Sequence, residues 1–253
     1  MYLVVNLGLK SIRGIVFNEA GKQVFSSSRA VYSKLIIGKV EQDAHEWKNQ
    51  LESILDEITA IDSLISEIKY ITSTTSSSCI YGMSEDGSPL TKVMMVSDKR
   101  AASEADYIQN LINSGFENTT LNCPASSILP KALWFKKNKP QVFDNVKYWM
   151  GAGEFLNHYF TGEVFTDSLN ANKGLHENGK YPEDVLKEVG LDVKTLPEVK
   201  EIGLQLSLTK EATQKHNFNS NCKYVLTTYD AICAVIGSYD GEKNTACDVS
   251  GTV

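Results

Sequence analysis

Leu226-Thr227-Thr228-Tyr229-Asp230-Ala231-Ile232-Cys233-Ala234-Val235-Ile236-Gly237-Ser238 is the stretch on which the rest of the chain depends. Apolar and β-branched residues run from Tyr224 to Thr228 and read as a strand. An Ala-rich segment with helical character follows Asp230. An acid where a strand gives way to a helix lies at the mouth of an α/β fold, where ligands bind. Its carboxylate has two readings: an N-cap for the free N–H groups of the helix, or a reactive group facing a ligand. The segment alone leaves both open.

Outward from there, strands and helices alternate. Tyr2–Leu7, Ser11–Phe17 and Gln23–Ser27 form a three-strand meander, with turns at Gly8-Leu9-Lys10 and Asn18–Lys22. A helix is expected over residues 44–61, with Trp47, Leu51, Ile54, Leu55, Ile58 and Ile61 on its inner face and Asp43 as N-cap. Lys69–Thr74 is the next strand. It runs into Thr74-Thr75-Ser76-Ser77-Ser78-Cys79, whose hydroxyls suit either a polyhydroxylated ligand or a solvated loop. After the apolar run Val93–Val96, Ser97 or Asp98 is expected to cap a helix reaching Ser114, with Arg100 pairing to Asp98 or Glu104. A further helix is expected from Ser126 or Ser127 to Lys137, stopped by Pro140. Val146–Met150 reads as a strand and Ala152–Phe160 as a helix ending near Gly162. Val164–Leu175 reads as irregular, and 182–189 and 209–217 as surface helices. Gly151-x-Gly153 lacks the third glycine of a dinucleotide fingerprint. This alternation predicts an α/β domain.

Composition excludes several classes. The 253 residues are 42% hydrophobic and 22% charged, with a formal net charge of −6. No basic block suggests a nucleic-acid partner. No apolar run approaches the roughly 20 residues of a membrane span. The N-terminus reads as a strand rather than a signal peptide. Five scattered cysteines without a C-x-x-C pair suit reduced thiols in the cytoplasm, and the four histidines lack metal-ligand spacing.

Taken in order, these segments resemble the N-terminal domain of the FGGY carbohydrate kinases, the group that includes xylulokinase, gluconate kinase and glycerol kinase. Asn6-Leu7-Gly8-Leu9-Lys10-Ser11-Ile12-Arg13 sits where that family has D-x-G-T-[TS]-S-x-[RK], and Val96-Ser97-Asp98-Lys99-Arg100-Ala101 where it has W-x-D-x-R-[AT]. Leu129–Trp134, Phe160–Glu163, Thr166-Asp167 through Ala171, and Leu196–Val199 resemble its L-P-K-x-x-W, L-T-G-E, T-D-x-x-x-A and L-P-E stretches. Tyr229-Asp230 is similar to its [HY]-D pair.

The resemblance implies an actin-like (ribonuclease H-like) ATPase domain with a mixed sheet and flanking helices. It implies that residues 1–248 are the sugar-side domain and 249–253 the start of an ATP-binding domain. The activity it implies is ATP-dependent phosphorylation of a sugar, sugar acid or polyol, with ATP and Mg²⁺ required, an isolated half inactive, and a homodimer compatible. Asp230 becomes the general base. Ser77, Ser78, Asp98 and Arg100 become sugar-binding residues; Gly8, Lys10, Ser11, Arg13 and Thr252 contact phosphates; Asn6 stands where the family's metal-holding Asp would be. Departures bear on this. Ser77 and Ser78 replace the Met and His of the xylulokinase-like Q-M-H-G, Val96 replaces a Trp, and Leu9 removes a hydroxyl. Asn6 adds no charge for Mg²⁺, which favours carboxylate oxygens. Lys10 is either a direct phosphate contact that partly replaces metal-mediated charge, or a solvated turn residue. The alternative is a homologue that binds a sugar or partner without transfer; an actin-like ATPase that is not a kinase ranks third.

Overall fold

The structure is a computed structural model that describes residues 1–116, 120–239, 241, 246 and 247. Alternation along Tyr2–Leu7 (β1) buries Leu3, Val5 and Leu7 on one face. β1 pairs antiparallel with Ser11–Phe17 (β2), and β2 with Gln23–Ala30 (β3), three residues longer than the sequence suggested. Lys34–Ile36 (β4) and Lys39–Gln42 (β5) then form a hairpin that the sequence reading lacked.

Helix α1 spans Ala44–Thr59. Asp43 caps it by accepting from the His45 N–H, and Trp47, Leu51, Ile54, Leu55 and Ile58 are buried as expected. Ile61 falls beyond the helix end and is 40% exposed, so it is not part of the inner stripe. Close approach of α1 to the sheet needs Gly14, where an added Cβ would lie 2.5 Å from Ile54 Cγ2. After Asp62–Ile65 (α2), Tyr70–Thr75 (β6) pairs parallel with β1.

The middle of the chain is an insertion with its own core. Tyr81–Met83 (β7) pairs with Tyr148–Met150 (β9), and Val93–Met94 (β8) with β5. Ala102–Asn113 (α3) starts three residues later than a cap at Asp98 would require; the Asp98 carboxylate is spent elsewhere. Ile128–Asn138 (α4) buries Leu129 and Leu133, while Trp134 stays half-buried. Pro140 does follow its end, and also starts Pro140–Phe143 (α5), where a missing N–H costs nothing. Ile108, Leu129, Leu133, Trp149, Val185 and Leu186 belong to this second core.

Ala152–Thr161 (α6) returns to the main sheet and ends at Gly162 as expected. The segment 164–175 is ordered rather than irregular. Phe165–Asp167 (β10) pairs parallel with Glu198–Lys200 (β11), and Ser168–Ala171 (α7) follows, because the Asp167 carboxylate caps it. Glu183–Val189 (α8) and Lys210–Lys215 (α9) are the expected outer helices, flanking Gln205–Ser207 (β12). Lys223–Val225 (β13) pairs parallel with β6 and leads to Asp230–Ser238 (α10). The six-stranded sheet runs β12-β13-β6-β1-β2-β3, with β13, β6 and β1 parallel. The expected strand through Thr228 is shorter as a ladder. Hydroxyls take over instead: Thr72 Oγ1 donates to Val225 O at 2.9 Å and Thr74 Oγ1 to Thr228 O at 3.1 Å.

Candidate active site

Three parallel strands release the chain at one edge of the sheet. β1 runs into the turn Gly8–Lys10, β6 into Ser76–Ser78, and β13 into Thr228–Asp230. Ser76 N donates to Leu7 O (2.9 Å), which ties the first two together; the Thr74 hydroxyl ties the second to the third. Cross-strand partners share a face of a sheet. Arg13, Asn6 and Thr74 are such partners across β2, β1 and β6, on the face opposite the buried Leu7 and Ile12. Extended through the β6–β13 register, this row reaches Thr227, whose hydroxyl meets Thr72 Oγ1 at 3.2 Å, three residues before Asp230.

The phosphate-turn candidates sit together. Gly8 N donates to Ser11 O at 2.9 Å and closes the turn. Asn6 Nδ2 donates to Thr74 O (3.3 Å), and its Oδ1 lies over Gly8. Lys10 and Arg13 are exposed, and neither pairs with a carboxylate among the described residues. Below the turn is a residue the sequence reading missed. Gln42 is buried, donates to Leu9 O (2.8 Å), and accepts from the Trp47 indole at 2.8 Å. Nothing in its local pattern distinguishes it from any strand-end glutamine.

Asp230 is the first residue of α10, and the capping position belongs to Tyr229, which makes no side-chain cap. The N-cap reading of Asp230 is therefore replaced. Its Oδ1 accepts only from the adjacent Ala231 N–H (2.8 Å), leaving Oδ2 without a side-chain partner among the described residues. Burial raises its pKa, and the Ala231 N–H opposes that only in part. The loop before it is anchored by Asp167, whose Oδ1 accepts from Thr228 Oγ1 at 2.8 Å and from Leu169 N and Asn170 N. The Lys173 ammonium lies 5.2 Å from the Tyr229 ring centroid. Between these elements is a small cavity of about 10 Å³, bordered by Thr75, Glu154, Asp167 and Thr228. That is room for one water.

Ser77 is half-buried and Ser78 buried, the latter with φ 62°, an uncommon left-handed conformation for serine. The next residue, Cys79, needs a glycine opposite it: a Cβ at Gly151 would lie 2.9 Å from Cys79 O.

Asp98 and Arg100 lie in the loop that follows β8 of the neighbouring sheet β4-β5-β8. Asp98 is 1% exposed, and both oxygens are occupied. They accept from Val40 N (2.8 Å), Arg100 N (3.0 Å) and the Arg100 guanidinium (2.7 Å at the closest). Burial works to raise the Asp98 pKa, but the Arg100 and Val40 donors outweigh it and hold the carboxyl below its usual value. Arg100 also reaches Glu41 at 2.9 Å and stacks on the Trp134 ring at 4.7 Å; Glu104 pairs with Lys137 instead. The structure thus groups Asn6, Gly8, Lys10, Ser11, Arg13 and Asp230 at the strand ends, and places Asp98 and Arg100 in the adjoining loop. Thr252 lies outside the described residues. No group of three or more His, Cys, Asp and Glu among the described residues is arranged to hold a metal ion, and all five cysteines are free. A separate groove of about 410 Å³, between α1, α6 and α9, shares no residue with these candidates.

A mixed sheet of order β3-β2-β1-β6-β13, two hairpin partners on one side and parallel strands on the other, is an actin-like ATPase domain. Known proteins agree in detail. The profile of the FGGY family of carbohydrate kinases, N-terminal domain, matches residues 1–237. The chain belongs to that family. It is 23% identical over 242 residues to the xylulose kinase of Lactococcus lactis subsp. lactis (strain IL1403), covering 93% of this chain and 48% of that one. It is 25% identical over 260 residues to the L-fuculokinase of Escherichia coli (strain K12), covering 99% and 54%. The crystal structure of xylulose kinase from Rhodospirillum rubrum superposes with a TM-score of 0.84 at 19% identity, over 92% of this chain and 50% of that one. The chain spans about half the length of the curated relatives it matches. No helix among the described residues is long and apolar enough to cross a membrane.

Proposed function

We propose that this chain is the sugar-side domain of a cytoplasmic kinase that transfers the γ-phosphoryl group of ATP to a hydroxyl of a sugar, sugar acid or polyol. Residues 1–248 form that domain, and 249–253 open the nucleotide-side domain. The observation that carries the reading is Asp230, a half-buried carboxylate at the end of a parallel strand with one oxygen unspent and a raised pKa. A base poised this way takes a proton from a hydroxyl within hydrogen-bond reach.

In the transfer step the substrate hydroxyl oxygen forms a bond to the γ-phosphorus, its proton passes to Asp230, and the bond to the leaving ADP breaks. Phosphoryl transfer needs little else beyond alignment and positive charge near the phosphates. Lys10, Arg13 and the Gly8–Ser11 turn supply that on this chain, with Thr252 in the same role. Mg²⁺, when bound with the nucleotide, neutralises phosphate charge. Asn6 Oδ1, with no donor among the described residues, fits as an acceptor for its water but brings no charge of its own. Ser77 and Ser78 meet sugar hydroxyls as donors and acceptors. Asp98, fully engaged, acts by holding Arg100.

The experiment is ADP release by the intact protein with ATP and Mg²⁺ against D-xylulose, L-fuculose, gluconate and glycerol. Release dependent on one compound is expected. No release with any of them, alongside calorimetric sugar binding, favours the second reading, which Asn6 and Leu9 motivate: a sugar-binding homologue without transfer.

A further inference from the structure

Lys131 is 0% exposed, in the middle of the inner stripe of α4, where Leu or Met would pack as well. Burying an ammonium costs several kcal/mol unless it is compensated. No carboxylate among the described residues hydrogen-bonds to it; Asp98 is already committed to Arg100 and Val40. The Lys131 Nζ instead donates to two backbone carbonyls, Ser78 O at 2.5 Å and Met95 O at 2.9 Å. Those carbonyls belong to different loops. Ser78 ends the hydroxyl stretch after β6, at its left-handed residue. Met95 opens the loop after β8 that carries Asp98 and Arg100. One helical turn further along α4, Trp134 lies against the Arg100 guanidinium. A single helix therefore grips both loops at two points, and the ammonium supplies the hydrogen bonds of that grip.

We propose that Lys131 is a positioning residue of the sugar pocket: it latches the Ser76–Cys79 loop to the Met95–Arg100 loop and thereby fixes the pocket width that selects among sugars. The proposal rests on the reading that these two loops meet the sugar. An apolar residue at 131 would leave two carbonyls without a donor and let the loops separate.

The test compares Lys131→Met and Lys131→Arg with wild type in the intact protein. Hydrogen exchange comes first. Lys131→Met should lose protection in both loops while β1 and β6 keep theirs; unchanged exchange in both loops overturns the latch. Kinetics with D-xylulose, L-fuculose and glycerol come second. Lys131→Met should raise KM for the best acceptor about 10-fold or more, leave kcat and the KM for ATP within about three-fold, and narrow the preference between acceptors. Lys131→Arg, which keeps donors for both carbonyls, should recover part of the discrimination. Unaltered sugar discrimination in Lys131→Met overturns the specificity role, even if its melting temperature falls. Should Lys131→Met fail to fold, Lys131→Gln, which keeps one donor, takes its place with the same expectations. If wild type neither binds nor phosphorylates any probe while the exchange pattern appears as expected, the kinase reading fails and the latch stands.

Discussion

The two cores of this molecule are built differently. The first lies between the sheet and helices α1 and α6. It is held by strand ladders and an apolar stripe: Leu3, Val5, Leu7, Ile12 and Val16 meet Trp47, Leu51, Ile54 and Ile58. The second, around α3, α4 and α8, has only short strand pairs at its border. Its loops are fixed by charged and polar side chains: Lys131 on two carbonyls, and Asp98 on Arg100 and Val40. Where the backbone bonds itself, substitution acts through packing. Where side chains bond the backbone, substitution acts through unpaired polar groups, which are the costlier loss.

The largest expected effect falls at the rim of the first core. Asp230→Asn keeps the shape but removes the proposed base, and should lower kcat of the intact protein by a factor on the order of 10²–10⁴ with the fold intact by circular dichroism. Undiminished turnover would remove Asp230 from the chemistry. Asp98→Ala comes next, in the second core. It strands Arg100 beside Glu41 alone and orphans Val40 N, and should cost about 3 kcal/mol in urea denaturation. A cost below that of a core packing change would erase the contrast between the two regions.

Gly14→Ala probes the first core by packing alone. Its Cβ would press on Ile54 Cγ2, and about 1–3 kcal/mol of destabilisation is expected. Combining it with Ile54→Leu, which has no γ2 methyl at the contact, should recover part of the loss.

A smaller effect concerns pH. Burial lowers the Lys131 pKa to about 8 from 10.5; Cys79 and Asp98 oppose the shift and Arg100 adds to it. Between those values the unfolded chain carries a proton that the folded chain has released. The unfolded state binds more protons there, so stability contributed at this site rises with pH. Wild type should therefore gain stability relative to Lys131→Met between pH 8 and pH 9. The absence of any pH-dependent difference would show Lys131 to be charged in the folded state across that window. The smallest effect is at the exposed Lys69–Glu19 pair, where Lys69→Ala should leave the melting temperature unchanged.

The sequence was legible where periodicity is local. Asp43 as cap and the Trp47–Ile58 stripe followed from helical spacing, and the β1–β2–β3 meander from alternation between turns. It was misleading where a polar residue had more than one local use. Asp98 read as a helix cap because an acid preceded a helix; the cap position lay vacant, since Arg100 and Val40 N, brought from 58 residues away, bind the carboxylate more fully. The hairpin β4–β5 went unread because its three- and four-residue strands are too short to show a period.

The sequence by itself determined the fold class, the helical and strand faces of the main core, and through the order of its motifs the family. Those are properties of neighbours in the chain. Only the tertiary structure decided that β13 and β1 both pair with β6, so that Asp230 and the Gly8 turn, more than 200 residues apart in sequence, follow strands that end at the same side of the sheet. It alone decided that Gln42, Lys131 and Asp167 serve as anchors under the site. A buried polar side chain takes its role from the donors and acceptors that folding brings to it, and these come from distant segments that leave no trace in the local pattern.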